Sequence, residues 1–393
     1  MEKTLYKGFR LIDGSGSVPT EKAYFVVEDK KITTLGSGKA PEFDGLVVDL
    51  EGKTVMPGMI NSHVHITMEP VGDPTSLMIK ESPAKTALRG TANLKKHLKA
   101  GTTFFRDLGA PAGIDFDLRD AVKEGLIEGP EFLAAGKCVT MTGGHGWFMG
   151  READGPEETR KAAREQLRAG ADVVKIMATG GVLTKGVEPG SPQLSMEEMK
   201  TAVVEAHKAG KKTATHAQGT EGIKNAILAG IDSVEHGIFL DDETIGLMLE
   251  KGVYLVPTLV APYFIVKNGV EAGIPQFAVD KSNYVMKFHM ESFTKAYKAG
   301  VKIAMGTDSG TPFNLHGSAP MELKLMVECG MTPMDALVSS TKSSAQLLGI
   351  DKDYGTLEEG KFADFLVLDE NPLENLDTLF KINKVFKLGK EVR

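Results

Sequence analysis

The chain has 393 residues, 41% of them hydrophobic, and a formal net charge of -7. That length exceeds what one core usually sustains, so a large unit with a smaller companion is expected, and the acidic balance with no Lys/Arg block excludes a nucleic-acid backbone as partner. Cys138 and Cys329 stand far apart without CxxC spacing, no run of about 18 apolar residues is present, and residues 1–14 lack the apolar segment of a signal peptide; a disulfide framework, a zinc finger and a membrane span are excluded, and a reducing cytoplasm is expected.

The front of the chain reads as short strands parted by turns, at 4–11, 23–28, 31–35 and 46–49. Residues 364–368 and 385–388 repeat the pattern at the back, punctuated by Gly360 and Asn371-Pro372. Neither end is long enough to fold alone. Residues 1–56 and 356–393 are therefore expected to pair into one small β-sandwich, with 57–355 inserted between them.

That middle repeats one phrase: a short apolar strand, a polar or Gly-rich loop, then a stretch of helical period, as βα units around a parallel sheet require. The expected strands are 59–66, 102–108, 131–138, 172–177, 212–218, 233–239, 253–259 and 302–309. Ala-Gly pairs such as Ala169-Gly170, Ala229-Gly230 and Ala299-Gly300 cap helices just ahead of the next strand. The predicted class is α/β, a (β/α)8 TIM barrel with its companion sandwich. Long loops after the first, third and seventh strands overlie the face where barrel active sites form.

His63 and His65 are two apart on the first strand, so both side chains point to one side, here the interior. They can share a cation or simply pack in the core. Lys175 sits inside Val173-Val174-Lys175-Ile176-Met177, where a charged ammonium is costly. It either snorkels to the barrel mouth or loses its proton, and a neutral amine can take up carbon dioxide to become a carbamate. His216, His236 and Asp308 end the fifth, sixth and eighth strands. Four imidazoles, a carboxylate and a modified lysine suit a pair of zinc-like cations.

Other histidines divide by context. His145, in Thr142-Gly143-Gly144-His145-Gly146-Trp147, lies in a loop over the catalytic face and can reach an oxyanion or face solvent. His316 contacts substrate or fixes its loop; Trp147 and Arg151 read equally as substrate contacts or as a packed aromatic and a surface arginine. His97 and His207 read as surface residues of helices, and His289 as part of a helix packed outside the barrel.

The segment Pro57-Gly58-Met59-Ile60-Asn61-Ser62-His63-Val64-His65 resembles the strand-one signature of the amidohydrolase superfamily. Residues 152–181, His216-Ala217-Gln218-Gly219 and Gly306-Thr307-Asp308-Ser309-Gly310-Thr311-Pro312 are similar to its branch of Xaa-Pro and Xaa-Arg/Lys dipeptidases, often called imidazolonepropionase-like. The resemblance spans essentially the whole chain. It implies that His63, His65 and Asp308 hold the more buried of two divalent cations, zinc by preference. His216 and His236 would hold the other, with carboxylated Lys175 and a hydroxide between them.

By the same resemblance Asp308 serves as acid and base, His145 steadies the oxyanion, and the substrate is a dipeptide or N-acyl amino acid. Relatives often form homo-oligomers. Ile238 departs from the pattern, because several dipeptidases carry tyrosine there. Lactone or organophosphate ester hydrolysis shares this centre and remains open. A heterocycle aminohydrolase generally needs one metal and no lysine on strand four, and a scaffolding relative would have no use for the ligand set.

Overall fold

The computed structural model describes residues 3–392; residues 1, 2 and 393, at the margins of the expected terminal module, lie outside the described residues. Five strands open the chain: β1 (Lys3–Leu11), β2 (Thr20–Glu28), β3 (Lys31–Ser37), β4 (Leu46–Asp49) and β5 (Thr54–Pro57). The middle contributes β6 (Met59–Val64), β7 (Thr102–Asp107), β8 (Glu131–Leu133), β9 (Cys138–Thr140), β10 (Gly150–Glu152), β11 (Val173–Met177), β12 (Lys212–Ala217), β13 (Ser233–His236) and β14 (Tyr254–Val256). Three strands close it, β15 (Phe365–Leu368), β16 (Lys384–Lys387) and β17 (Lys390–Glu391).

Both ends share one eight-stranded sheet in the order β17-β16-β15-β5-β1-β2-β3, with β4 on β1. The front and back of the chain meet where β5 runs antiparallel to β15, Val55 opposite Val367 and Pro57 opposite Phe365. An aromatic cluster fills this sheet's buried side. Phe365 stacks on Phe386 at 4.2 Å and meets Tyr6 and Phe25 edge-on at 5.1 Å, the offset and T-shaped arrangements that ring quadrupoles favour.

The middle forms a barrel of parallel pairs. One run joins β6, β7 and β8; the other joins β9, β11, β12, β13 and β14, with β10 beside β9. The backbone N–H of Asp172 donates to the Ala134 carbonyl and bridges the two runs. Residues 302–309 close the circle, donating from Ala304 to Leu255 and from Asp308 to His63, and accepting from Ser62 at Met305.

Two expected strands differ. The stretch 131–138 splits into β8 and β9 because Gly136 adopts φ 69°, turning the chain while its N–H donates to Asp115. The stretch 302–309 makes only isolated bridges. There, a Cβ on Gly306 would sit 2.4 Å from Val256 and 2.8 Å from His63, and Asp308 itself stands at φ 56°, so the backbone passes too close and bends too sharply for a ladder. Helices cover the outside, ended at Gly170, Gly230 and Gly300 by left-handed caps as the Ala-Gly pairs predicted. No helix among the described residues is long and apolar enough to cross a membrane.

Phe365 is fully buried at the junction of the two chain ends. Phe365→Ala is expected to destabilise the protein by about 3–5 kcal/mol, read as a lower urea midpoint. Loss near zero would mean that the cluster relaxes around the hole.

Candidate metal centre

The first barrel strand delivers His63 and His65 to the interior, and the bent backbone at Asp308 turns its carboxylate toward them. His63 Nε2 and His65 Nε2 are 3.4 Å apart, and Asp308 Oδ1 lies 3.4 Å from the first and 3.3 Å from the second. Hydrogen bonds on the far side of each ring decide the tautomers. His65 Nδ1 faces the Gly109 carbonyl at 3.2 Å, and His63 Nδ1 faces Glu235 Oε2 at 2.9 Å. Both acceptors lack a proton to give, so each Nδ1 carries the hydrogen and each Nε2 is left with a lone pair.

Two lone pairs and a carboxylate oxygen thus face one another with no proton between them. In a buried setting that repulsion is relieved by a cation. The three side chains offer one ligand atom each within 4.8 Å of one another, so a divalent ion fits this donor set.

The other predicted ligands stand beside it. The ring of His63 lies 5.2 Å from that of His236, His236 lies 4.6 Å from His216, and His216 lies 4.1 Å from His145. His236 Nδ1 meets Thr258 Oγ1 at 2.7 Å, while His216 Nε2 donates weakly to the Gly180 carbonyl at 3.4 Å and keeps a lone pair on Nδ1. Burial holds the imidazoles of His63, His216 and His236 well below their usual pKa, with nearby Lys175 pushing the same way. These rings are neutral and ready to coordinate.

Lys175, in the middle of β11, is 1% exposed. Among the described residues no hydrogen bond or ion pair reaches its nitrogen. Burial pushes its pKa down against the weaker pull of Glu235 and Asp308, the direction that favours a neutral, reactive amine. The alternative of a lysine reaching out to water does not match this depth.

Two residues that sequence reasoning missed hold the centre from behind. Arg106, on β7, donates to Glu235 Oε1 at 2.9 Å, to the Ser62 carbonyl at 2.7 Å and to Ser233 Oγ at 3.2 Å. Glu235, on β13, takes a further bond from Ser233 and orients His63. Both are buried. Arg106 is followed by Asp107 at the end of β7 and Glu235 stands between Val234 and His236, so neither has the apolar neighbours on both sides that marked Lys175.

A cavity opens over these groups. Met68, Phe148, Met177, Leu183, Ile238 and Ile265 line it, and among the described residues Asp308 is its only acidic wall. His145 is on the wall, half-buried, its Nδ1 2.9 Å from Thr184 Oγ1 and its pKa lowered to about 3 by burial. Trp147 is 46% exposed and Arg151 pairs with Glu158 and Glu165, so neither lines the cavity.

Residues 54–392 match the model of the amidohydrolase family. The chain belongs to that family. It is 33% identical to an ochratoxinase of Aspergillus niger, across 98% of this chain and 85% of that protein. A Xaa-Pro dipeptidase solved with methionine in its active site is 35% identical, covers both chains fully and superposes with a TM-score of 0.93. A prolidase solved with N-methylphosphonate-L-proline is 30% identical over 100% of this chain and 99% of its own, also at 0.93.

In this amidohydrolase two helix histidines, His97 and His289, differ from their sequence reading. His97, expected on the surface, is fully buried; it stacks on Phe105 and its Nε2 lies 3.1 Å from His316 Nδ1. The helix carrying it packs on the barrel, and Ser309 Oγ, 3.3 Å away, gives it a polar partner there. His316 is buried too, donating from Nε2 to the Met68 carbonyl at 2.8 Å, and stands outside the cavity lining. His289 points inward from the helix Gln276–Ala299 to the cavity wall instead of packing outside. His207 is exposed as expected and pairs with Asp232.

The Arg106–Glu235 pair yields a sharp expectation. Arg106→Met alone leaves a buried carboxylate unpaired and should cost about 3–5 kcal/mol, whereas Arg106→Met with Glu235→Leu should recover more than half of that loss. Equal melting of the single and double variants would show that the pair carries no coupling.

Proposed function

We propose that the chain is a binuclear metal-dependent hydrolase that cleaves the amide bond of a dipeptide or N-acyl amino acid with an apolar side chain, Xaa-Pro substrates included. The observation that carries this reading is the set of deprotonated nitrogens and one carboxylate at the floor of an apolar cavity. His63, His65 and Asp308 would hold one cation, His216 and His236 the other, and Lys175 would join them as a carbamate. That carbamate forms when the neutral amine attacks carbon dioxide and loses one proton. Two cations, zinc by the nitrogen and oxygen donors, would supply Lewis acidity and a water acidic enough to attack near neutral pH.

The chain's own groups do the rest. Asp308 takes the proton from the attacking water and returns it to the departing nitrogen, the acid and base role open to a carboxylate at the centre. His145 keeps Nδ1 on Thr184 and presents its other nitrogen to the carbonyl oxygen as charge develops there. Ile238 stands on the wall at the position where several dipeptidases carry tyrosine, so His145 carries that duty alone.

The wall chemistry sets the substrate. A cationic Arg or Lys side chain would find no acidic partner other than Asp308, which weighs against Xaa-Arg/Lys dipeptides and for apolar ones. The similar proteins solved with methionine and with a proline phosphonate agree with that preference. A one-metal heterocycle deaminase would leave Lys175 without a task.

The test is a library of dipeptides, N-acyl amino acids and matched esters with the metal-loaded enzyme. Apolar amides should exceed Xaa-Arg by about tenfold or more in kcat/KM, and Asp308→Asn should lower kcat by about 10²–10⁴-fold. Ester turnover with no amide turnover, or a fully active Asp308→Asn, would overturn the reading.

A further inference from the structure

Two polar side chains on the cavity wall each keep one buried acceptor that no group among the described residues satisfies. His289 is 2% exposed; its Nε2 lies 2.7 Å from the Pro257 carbonyl and 3.0 Å from the His236 carbonyl. Both partners only accept, so Nε2 bears the proton and Nδ1 is left as an acceptor, buried and without a partner. Gln218 is 5% exposed. Its backbone N–H donates to Thr179 Oγ1 at 3.0 Å, but its side-chain carbonyl oxygen is buried and equally unpaired. Ile238, Ile265 and Val285 share the wall with them.

An unmet buried acceptor costs free energy that a bound donor returns. No acidic side chain pairs with His289 among the described residues, so an imidazolium there would be an uncompensated buried charge. Apart from Lys175 on the floor, no lysine or arginine among the described residues lines the cavity to receive an anion. The buried, unmet polar atoms on this wall, His289 Nδ1 and Gln218 Oε1, are both hydrogen-bond acceptors.

We infer that His289 and Gln218 are specificity-determining residues that read a hydrogen-bond donor on the apolar part of the substrate, an amino N–H or a hydroxyl outside the scissile bond. The inference rests on the cavity being the substrate's site, as proposed above. It narrows the substrate class: an acyl or amino acid unit bearing such a donor is preferred over its hydrocarbon counterpart.

Equilibrium binding to the metal-loaded protein tests this without turnover. Three probes share one side chain and one carboxylate: L-leucine offers an ammonium, 2-hydroxy-4-methylpentanoate a neutral hydroxyl, and 4-methylpentanoate no donor at that carbon. By calorimetry at least one of the first two should bind about tenfold or more tightly than the third, and the tighter of them identifies the ammonium or the neutral donor as the one read. His289→Gln, which keeps an N–H for the two carbonyls, and Gln218→Met, which leaves those bonds untouched, should each shrink that gap to less than about threefold.

Equal affinity for all three probes, no measurable binding of any, or an undiminished gap in both variants would overturn the inference. Because the readout is binding, an enzyme that fails to cleave any amide would count against the proposed reaction while leaving this result standing.

Discussion

Two imidazole nitrogens that have both given up their protons, set 3.4 Å apart with a carboxylate oxygen beside them, are the constraint on which the barrel mouth is organised. Left alone they repel one another in a medium that screens poorly. The surrounding residues keep them in that state. Glu235 and the Gly109 carbonyl pin the hydrogens to the far side of each ring, Arg106 neutralises Glu235, and burial depresses the pKa of the neighbouring rings. Such a site is preorganised for a cation before one arrives, with the outer partners fixing ring orientation as metal sites generally require.

The fold divides the work. Strands supply the ligands because a β-strand fixes direction better than a loop, and neighbouring parallel strands bring β11, β12 and β13 into register, with Met177 opposite His216 and Ala217 opposite His236. Loops and the helices that follow them supply the walls, Phe148, Ile238 and His289 among them. The terminal sheet is joined to the first barrel strand through β5 and Gly58, whose N–H donates to Asp364. It therefore acts on the base of the barrel and leaves the mouth free.

Much of this was legible in the residues. A histidine pair at i and i+2, a lysine within five apolar neighbours and an aspartate after Gly-Thr each signal a strand that carries chemistry, and they do converge. What escaped was set by distance in sequence. Arg106 and Glu235 explain each other only when strands β7 and β13 are seen to face across the barrel. Helical period told that His97 and His289 lie on helices but not which face meets the barrel, since a histidine satisfied by a buried partner breaks the polar-outside rule. The bends at Gly136 and Asp308 likewise follow from close approaches that one strand cannot reveal.

The central proposal is that Lys175, as a carbamate, would help to hold two cations beside the paired imidazoles. Metal content of protein prepared with zinc and bicarbonate, read by plasma mass spectrometry beside the intact mass, tests it most directly. The account predicts about two ions per chain with a carbamate-sized mass increase, and about one ion or fewer in Lys175→Ala. One ion or none in the native chain, or two ions retained without the lysine, would contradict it.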